Sequence, residues 1–395
     1  MIKAAGSRTG GSMSSSDVVG GSVAPGFEAV REEFAAVVAE EPAGGGAQLA
    51  VHLDGRRVVD LWAGEGVSGE SLFALYSSAK GAAHLVTALL VQEGVLDLDK
   101  EVAHYWPEFA AEGKGALTFR QLLEHRAGLI GVDGGFTTEE LADDRRIAER
   151  LAGQKPYWEP GTAYGYHAYV IGALTGEVVR RRTGRTVQEL FEERIRAPYG
   201  LDFFLGLPAE LESRYLPVLP AVPLPGQQGE PPAPDSLMGI AFNLNASPPT
   251  DLAGFGNLRP VQAQGPASTG SFGSARGLAA LYAAAAQGLD GRTPFLAPAT
   301  IAEFGPVRTH GTDVVTGEVD HFGLGFEAQS TRFPFLGAEA FGHSGAVGAQ
   351  SFADPRSGVA YGYTRRRFSS LPLGPENHRL AEAVVRAAGA VRGAA

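Results

Sequence analysis

Apolar and polar residues recur along the chain with two different periods, and these predict most of its elements. Residues 26–41 (GFEAVREEFAAVVAEE) place apolar side chains at helical spacing with acidic residues between them, which predicts a surface amphipathic helix. Residues 47–64 (AQLAVHLDGRRVVDLWAG) read as two strands around Asp54-Gly55, a dipeptide suited to a tight hairpin turn. The stretch 78–96 (SAKGAAHLVTALLVQEGVL) has helical spacing and an almost continuous apolar face, so it is expected to be buried. Segments 117–129, 138–153 and 167–197 continue a mostly helical middle. Over residues 200–265 the period fails and prolines crowd in, most densely at 216–236. A connection this long without regular structure is expected to be a lid, a pocket wall or a mobile segment. Helix returns at 274–288. Strands are expected at 321–329 and in 346–355 and 358–366 across Asp354–Gly358, before a last helix over 376–391.

Strands near both ends with helices between them point to an α+β fold. An antiparallel sheet flanked by helices would be assembled from the N- and C-terminal portions, and the middle would form a mostly helical lobe. The expected division is a flexible leader over 1–24 and one catalytic unit over 25–391. Within that unit the α/β lobe takes about 25–95 and 266–391, the helical lobe about 96–200, and the Pro-rich insertion about 200–265. A site between the lobes is the natural expectation.

Composition narrows the function classes. The 395 residues are 44% hydrophobic and 19% charged, which suits a folded chain with a sizeable core. A net charge of −11 argues against nucleic acid or an anionic membrane as a partner. The absence of cysteine excludes disulfides, thiol catalysis and zinc–thiolate sites. No run reaches the ~18–20 apolar residues of a membrane span, and the Gly/Ser-rich leader lacks the apolar core of a secretory signal, so a cytoplasmic location is expected. There is no G-x-S-x-G elbow, P-loop or H-E-x-x-H, and the nine histidines do not fall in a metal-ligand pattern; no cofactor or metal is expected.

What remains is Ser77-Ser78-Ala79-Lys80 at the start of the long apolar helix, the only S-x-x-K in the chain. Three-residue spacing puts the serine hydroxyl and the lysine amine on one helix face. A serine alcohol needs a base to take its proton, and a desolvated lysine can be that base. The bland alternative is a serine that caps a helix and a lysine that merely sits in it. Lysine usage bears on this: of 33 basic residues only Lys3, Lys80, Lys100, Lys114 and Lys155 are lysine. Arginine carries charge but cannot serve as a neutral base. A second element is the turn Pro160–Ala168, from which Tyr166 could exchange protons with Ser77 if Lys80 lowers its phenol below the usual ~10; a packed aromatic is the alternative. A third is Gly342-His343-Ser344-Gly345-Ala346, where a substrate could lie along a strand edge against a backbone N–H. The alternative there is a simple tight turn.

In order and separation these segments resemble the family that groups class C β-lactamases, D-alanyl-D-alanine peptidases and family VIII carboxylesterases. LYSSAKGAAHLVTALLVQEGVLDLDKEV resembles its nucleophile helix, LTFRQLLEHRAGL its next helix and WEPGTAYGYHAYVIGALTGEVVRRRTG its tyrosine motif. PASTGSFGSARGLAALY and FGLGFE…FGHSGAVG resemble its last helix and its K-T-G strand. The likeness runs from about residue 26 to 391 and fails across 200–265.

The resemblance implies a β-lactamase-like fold and a two-step acyl transfer without a cofactor. Ser77 would be the nucleophile, and Lys80 and Tyr166 would handle protons. The N–H groups of Ser77 and Ala346 would stabilise the oxyanion, and His343, Ser344, Gly345 and His167 would line the substrate site. Two departures stand out. Tyr166-His167-Ala168 replaces Y-x-N, and His343-Ser344-Gly345 replaces K-T-G. The amide and the fixed cation that would hold a lactam are missing, as in esterase members. The expected activity is therefore hydrolysis of a small carboxylic ester through a Ser77 acyl-enzyme. Acyl transfer to an amine or alcohol with the same residues is the alternative, and a β-lactamase or D-amino peptidase ranks behind both. Sequence sets no oligomeric state.

Overall fold

The computed structural model describes residues 19–42, 44–223, 231–369 and 374–394. In chain order the strands are β1 (Gly20–Val23), β2 (Gly46–Leu53), β3 (Arg56–Gly64), β4 (Phe73–Tyr76) and β5 (Phe203–Leu205). They continue with β6 (Ser271–Gly273), β7 (Glu327–Ala328), β8 (Phe341–Gly345), β9 (Ala349–Asp354) and β10 (Val359–Arg365). Asp54 and Gly55 close the β2–β3 hairpin with φ of 49° and 77°, the left-handed pair its tight turn requires.

Seven strands form one antiparallel sheet in the order β1-β3-β2-β10-β9-β8-β7. The two ends of the chain meet at its centre, where β2 pairs with β10 and Val51 faces Tyr361. The helices Glu28–Ala39 and Glu376–Ala394 pack together over one face, burying Phe34, Val37, Leu380 and Val384 with Leu49 and Val51. The helix Ala275–Ala286 covers the other face, where Ala275 and Ala279 meet Ala50 and let the helix lie close. A small sheet, β4-β6-β5, lies beside these elements.

The helix Ser78–Gln92 has every residue from Ser78 to Leu90 buried. A helix apolar on all sides has to be enclosed, and this one contacts β8, Ile171–Thr183 and Val187–Phe191. The fold is thus α+β, with an antiparallel sheet flanked by helices and a mostly helical portion, as expected.

Three local readings need correction. Gly20–Val23 belongs to the sheet rather than to a leader, pairing with Val59–Trp62. Strand edges pair through backbone groups, so a glycine-rich strand leaves no alternation in the sequence; Gly20 also packs where a Cβ would lie 2.4 Å from Trp62. Residues 1–18 of that leader lie outside the described residues. The strand expected over 321–329 shrinks to Glu327–Ala328, because the chain turns through Gly325 at φ +77°. The stretch 200–265 carries β5 and the short helices Ala209–Arg214, Leu237–Ala241, Leu252–Phe255 and Arg259–Gln264. Part of its proline run, 224–230, lies outside the described residues. Among the described residues no helix is long and apolar enough to cross a membrane.

Candidate active site

β4 ends at Tyr76, whose φ of 49° is a strained value for a non-glycine residue, and the chain turns there directly into the buried helix. Ser77 stands at that turn. Its side chain makes no capping hydrogen bond, so the bland reading of Ser77 as a cap fails and the hydroxyl is left for other partners. Lys80 Nζ lies 3.1 Å from Ser77 Oγ, and the Tyr166 hydroxyl donates to Ser77 Oγ at 2.9 Å. Lys80 Nζ also donates to the Ser268 carbonyl at 2.8 Å and lies 4.9 Å from the centre of the Tyr166 ring. Ser268 is in turn held by the Gly172 N–H, which donates to its Oγ at 2.8 Å. A Cβ on Gly172 would meet the Ala267 carbonyl carbon at 2.4 Å, so only glycine lets these two backbones come so close.

Burial sets the protonation of this group. Lys80 is fully enclosed, and desolvation drives its amine well below the usual 10.5, outweighing the opposing pull of Glu327. Tyr166 goes the other way: desolvation raises its phenol above 10 despite the hydrogen bond to Ser77. The sequence reading had Lys80 lowering this phenol. Burial disfavours the charge on Lys80 that such a lowering would need.

His84 on this helix and His125, His167 and His343 from other segments are all completely buried. Desolvation leads in each case, lowering His84 to about 3, His167 and His343 to about 4, and His125 well below 6.5.

Ser77 and Tyr166 open onto a cavity of about 450 Å³. Ala168, Ser344, Gly345 and Ala346 line it, so the third motif is strand β8 and its exit rather than an isolated turn. A Cβ on Gly345 would lie 2.1 Å from the Leu75 carbonyl oxygen, so this glycine lets β8 press against β4 beside the nucleophile. Two expected substrate contacts are placed elsewhere. His343 is fully buried and does not line the cavity; strand alternation turns it to the face opposite Ser344, toward Gly81 on the buried helix. His167 is likewise interior, its Nδ1 2.6 Å from the Gly165 carbonyl and its Nε2 accepting from the Leu129 N–H at 3.2 Å. It fixes the tyrosine turn instead.

The sequence reading missed part of the wall. Met238, Phe242, Leu252 and Phe368 give it an apolar character, Glu318 and Glu327 give it charge, and His321 lies between them. Glu327 is buried, accepts from the Ser344 N–H at 3.0 Å and Oγ at 2.6 Å, and pairs with Arg332 at 3.0 Å. Burial alone would raise its carboxyl; Arg332, with His343 and His321, outweighs that and holds it well below the usual carboxylate range. A lone acid inside the apolar run FGLGFEA was the available signal.

The family model for beta-lactamases matches residues 34–386. The chain belongs to the beta-lactamase family. Within that family, esterase/beta-lactamase LipL of Mycobacterium tuberculosis is 30% identical over 91% of this chain and 85% of its own length. The solved structure of EstA from Arthrobacter nitroguajacolicus Rue61a is 41% identical, with a TM-score of 0.87 over 93% of this chain and 98% of that one. A family VIII carboxylesterase structure is 34% identical, with a TM-score of 0.83 over 93% and 99%. The chain is therefore an enzyme of the serine β-lactamase and esterase group.

Proposed function

We propose that the chain hydrolyses small carboxylic esters through an acyl-enzyme on Ser77. The observation that carries this reading is the Ser77 hydroxyl, which faces an apolar cavity and lies 3.1 Å from an amine whose pKa burial drives well below its usual range. Lys80 takes the hydroxyl proton as Ser77 Oγ attacks the acyl carbon. The backbone N–H groups of Ser77 and Ala346, both on the cavity wall, stabilise the oxyanion. Lys80 returns the proton to the departing alkoxide with the neutral Tyr166 phenol as relay, and water then releases the acyl group by the reverse path. The names of LipL and of the carboxylesterase neighbour support ester chemistry, and Ala168 supports it from this chain: a methyl occupies the wall where a lactam's amide would need a partner.

Two measurements test this. A fluorophosphonate probe should add one label, which Ser77→Ala removes; a label persisting in that variant moves the nucleophile elsewhere. A nitrophenyl ester should be accelerated over its uncatalysed rate by about 10²-fold more than a chromogenic cephalosporin, since each missing polar contact is worth about 10- to 100-fold. Equal acceleration would restore a lactamase. Turnover that speeds up with added amine or alcohol would assign acyl transfer instead.

A further inference from the structure

The catalytic groups leave Glu318, His321 and Glu327 on the cavity wall without a role. His321 is nine-tenths buried, and neither of its ring nitrogens makes a hydrogen bond. Its Nδ1 lies 3.1 Å from Glu318 Oε2, outside hydrogen-bonding alignment, and its Nε2 is 3.8 Å from Glu327 Oε1. The imidazole thus forms part of the cavity wall between two carboxylates, its nitrogens covered and without an aligned hydrogen bond. Arg332 lies 3.0 Å from Glu327 and 3.7 Å from Glu318, so one cation offsets two carboxylates, and it does not line this cavity. Among the described residues that do, the only side chains with a permanent charge are the two glutamates.

We infer that this wall is a charge filter, admitting esters that are uncharged or cationic at this end and excluding those that carry a carboxylate. The inference rests on the Ser77 ester-hydrolase reading and names its substrate class. A carboxylate entering here finds no lysine or arginine lining the cavity and meets Glu318, which is one-third exposed and reachable. Like charges several ångströms apart at an effective dielectric of about 20 lower binding by roughly 10- to 100-fold. A cation gains the same attraction and loses part of it to desolvation.

The experiment compares three 4-nitrophenyl esters of similar length, those of pentanoic acid, 4-(trimethylammonio)butanoic acid and glutaric acid (the monoester). Each rate is corrected for spontaneous hydrolysis. The expected kcat/KM for the anionic ester is at least ~10-fold below the neutral one, with the cationic ester at or above the neutral one. In Glu318→Gln the anionic-to-neutral ratio should rise about 5-fold or more; a ratio is read because the variant can also change absolute rates. Equal turnover of the anionic and neutral esters, or an unchanged ratio in Glu318→Gln, overturns the filter while leaving the ester reading intact. Absence of Ser77-dependent turnover of the neutral ester overturns both.

Discussion

Replacing Lys80 with methionine separates its chemistry from its packing. Lys80 and Tyr166 are the two side chains hydrogen-bonded to Ser77 Oγ, and burial holds the tyrosine as the neutral phenol. Even at an unshifted pKa of ~10, a phenol is ionised to only about one part in a thousand at neutral pH, so Tyr166 cannot take over as base. The full contribution of a general base, about 10²- to 10⁴-fold or roughly 3–5 kcal/mol, should therefore vanish in Lys80→Met. Stability should barely move. The variant loses two hydrogen bonds, to the Ser268 carbonyl and to Ser77 Oγ, about 1 kcal/mol each, and gains from filling the same enclosed space with an apolar chain. Lys80→Arg should be inactive as well, but also less stable by about 3 kcal/mol or more, because a permanent charge would be buried with no carboxylate in contact. The assay is kcat/KM on an activated ester alongside thermal unfolding of all three proteins. The wild-type rate should climb with pH and level off as the amine loses its proton, well below the usual 10.5 of lysine. A Lys80→Met variant that keeps more than about a tenth of wild-type kcat/KM would refute the reasoning.

The buried histidines predict acid lability. His84, His167 and His343 sit at about 3, 4 and 4 when folded against 6.5 when unfolded, so the unfolded chain binds more protons. Stability should be complete above pH 6.5 and fall toward pH 4, by about 2 kcal/mol per histidine at pH 5. Asp144, pushed up to about 6, and Glu41, also raised by burial, oppose this in part; a Tm that stays flat from pH 7 to 4.5 would contradict the prediction. Gly345→Ala should cost about 2–3 kcal/mol and on the order of 10²-fold in kcat/KM, because its Cβ would collide with the Leu75 carbonyl and push β8 from β4. Gly389→Ala is the control. Nothing lies within 4 Å of that Cβ, so added helix propensity should leave Tm unchanged or slightly higher.

Periodicity made the long elements legible. The hairpin at Asp54-Gly55, the enclosed helix at Ser78–Gln92 and the two outer helices all follow from spacing and turn chemistry. Elements of three or four residues, such as β4 and β6, are too short to show a period, and they are what aims Ser77 and holds the Ser268 region. The Ser77–Lys80 spacing was readable because a helix turns i and i+3 to one side. The orientation of His343 was not, since placing it needs to be known which face of β8 meets the cavity, and a shift of one residue reverses the answer. The direction of the Tyr166 shift was equally hidden: it depends on how thoroughly the fold excludes water from the phenol.

The pairing of β2 with β10 also has a consequence in time. Strands about three hundred residues apart in sequence lie side by side, and Ser77 needs both Ser268 and the segment around Gly345. During synthesis at ~5–20 residues per second, the nucleophile emerges tens of seconds before the strand that completes its pocket. A nascent chain therefore has no assembled reaction centre until β8 arrives. Late ring closure of this kind slows folding and prolongs the exposure of unpaired strand edges, so this enzyme is latent for as long as it is incomplete.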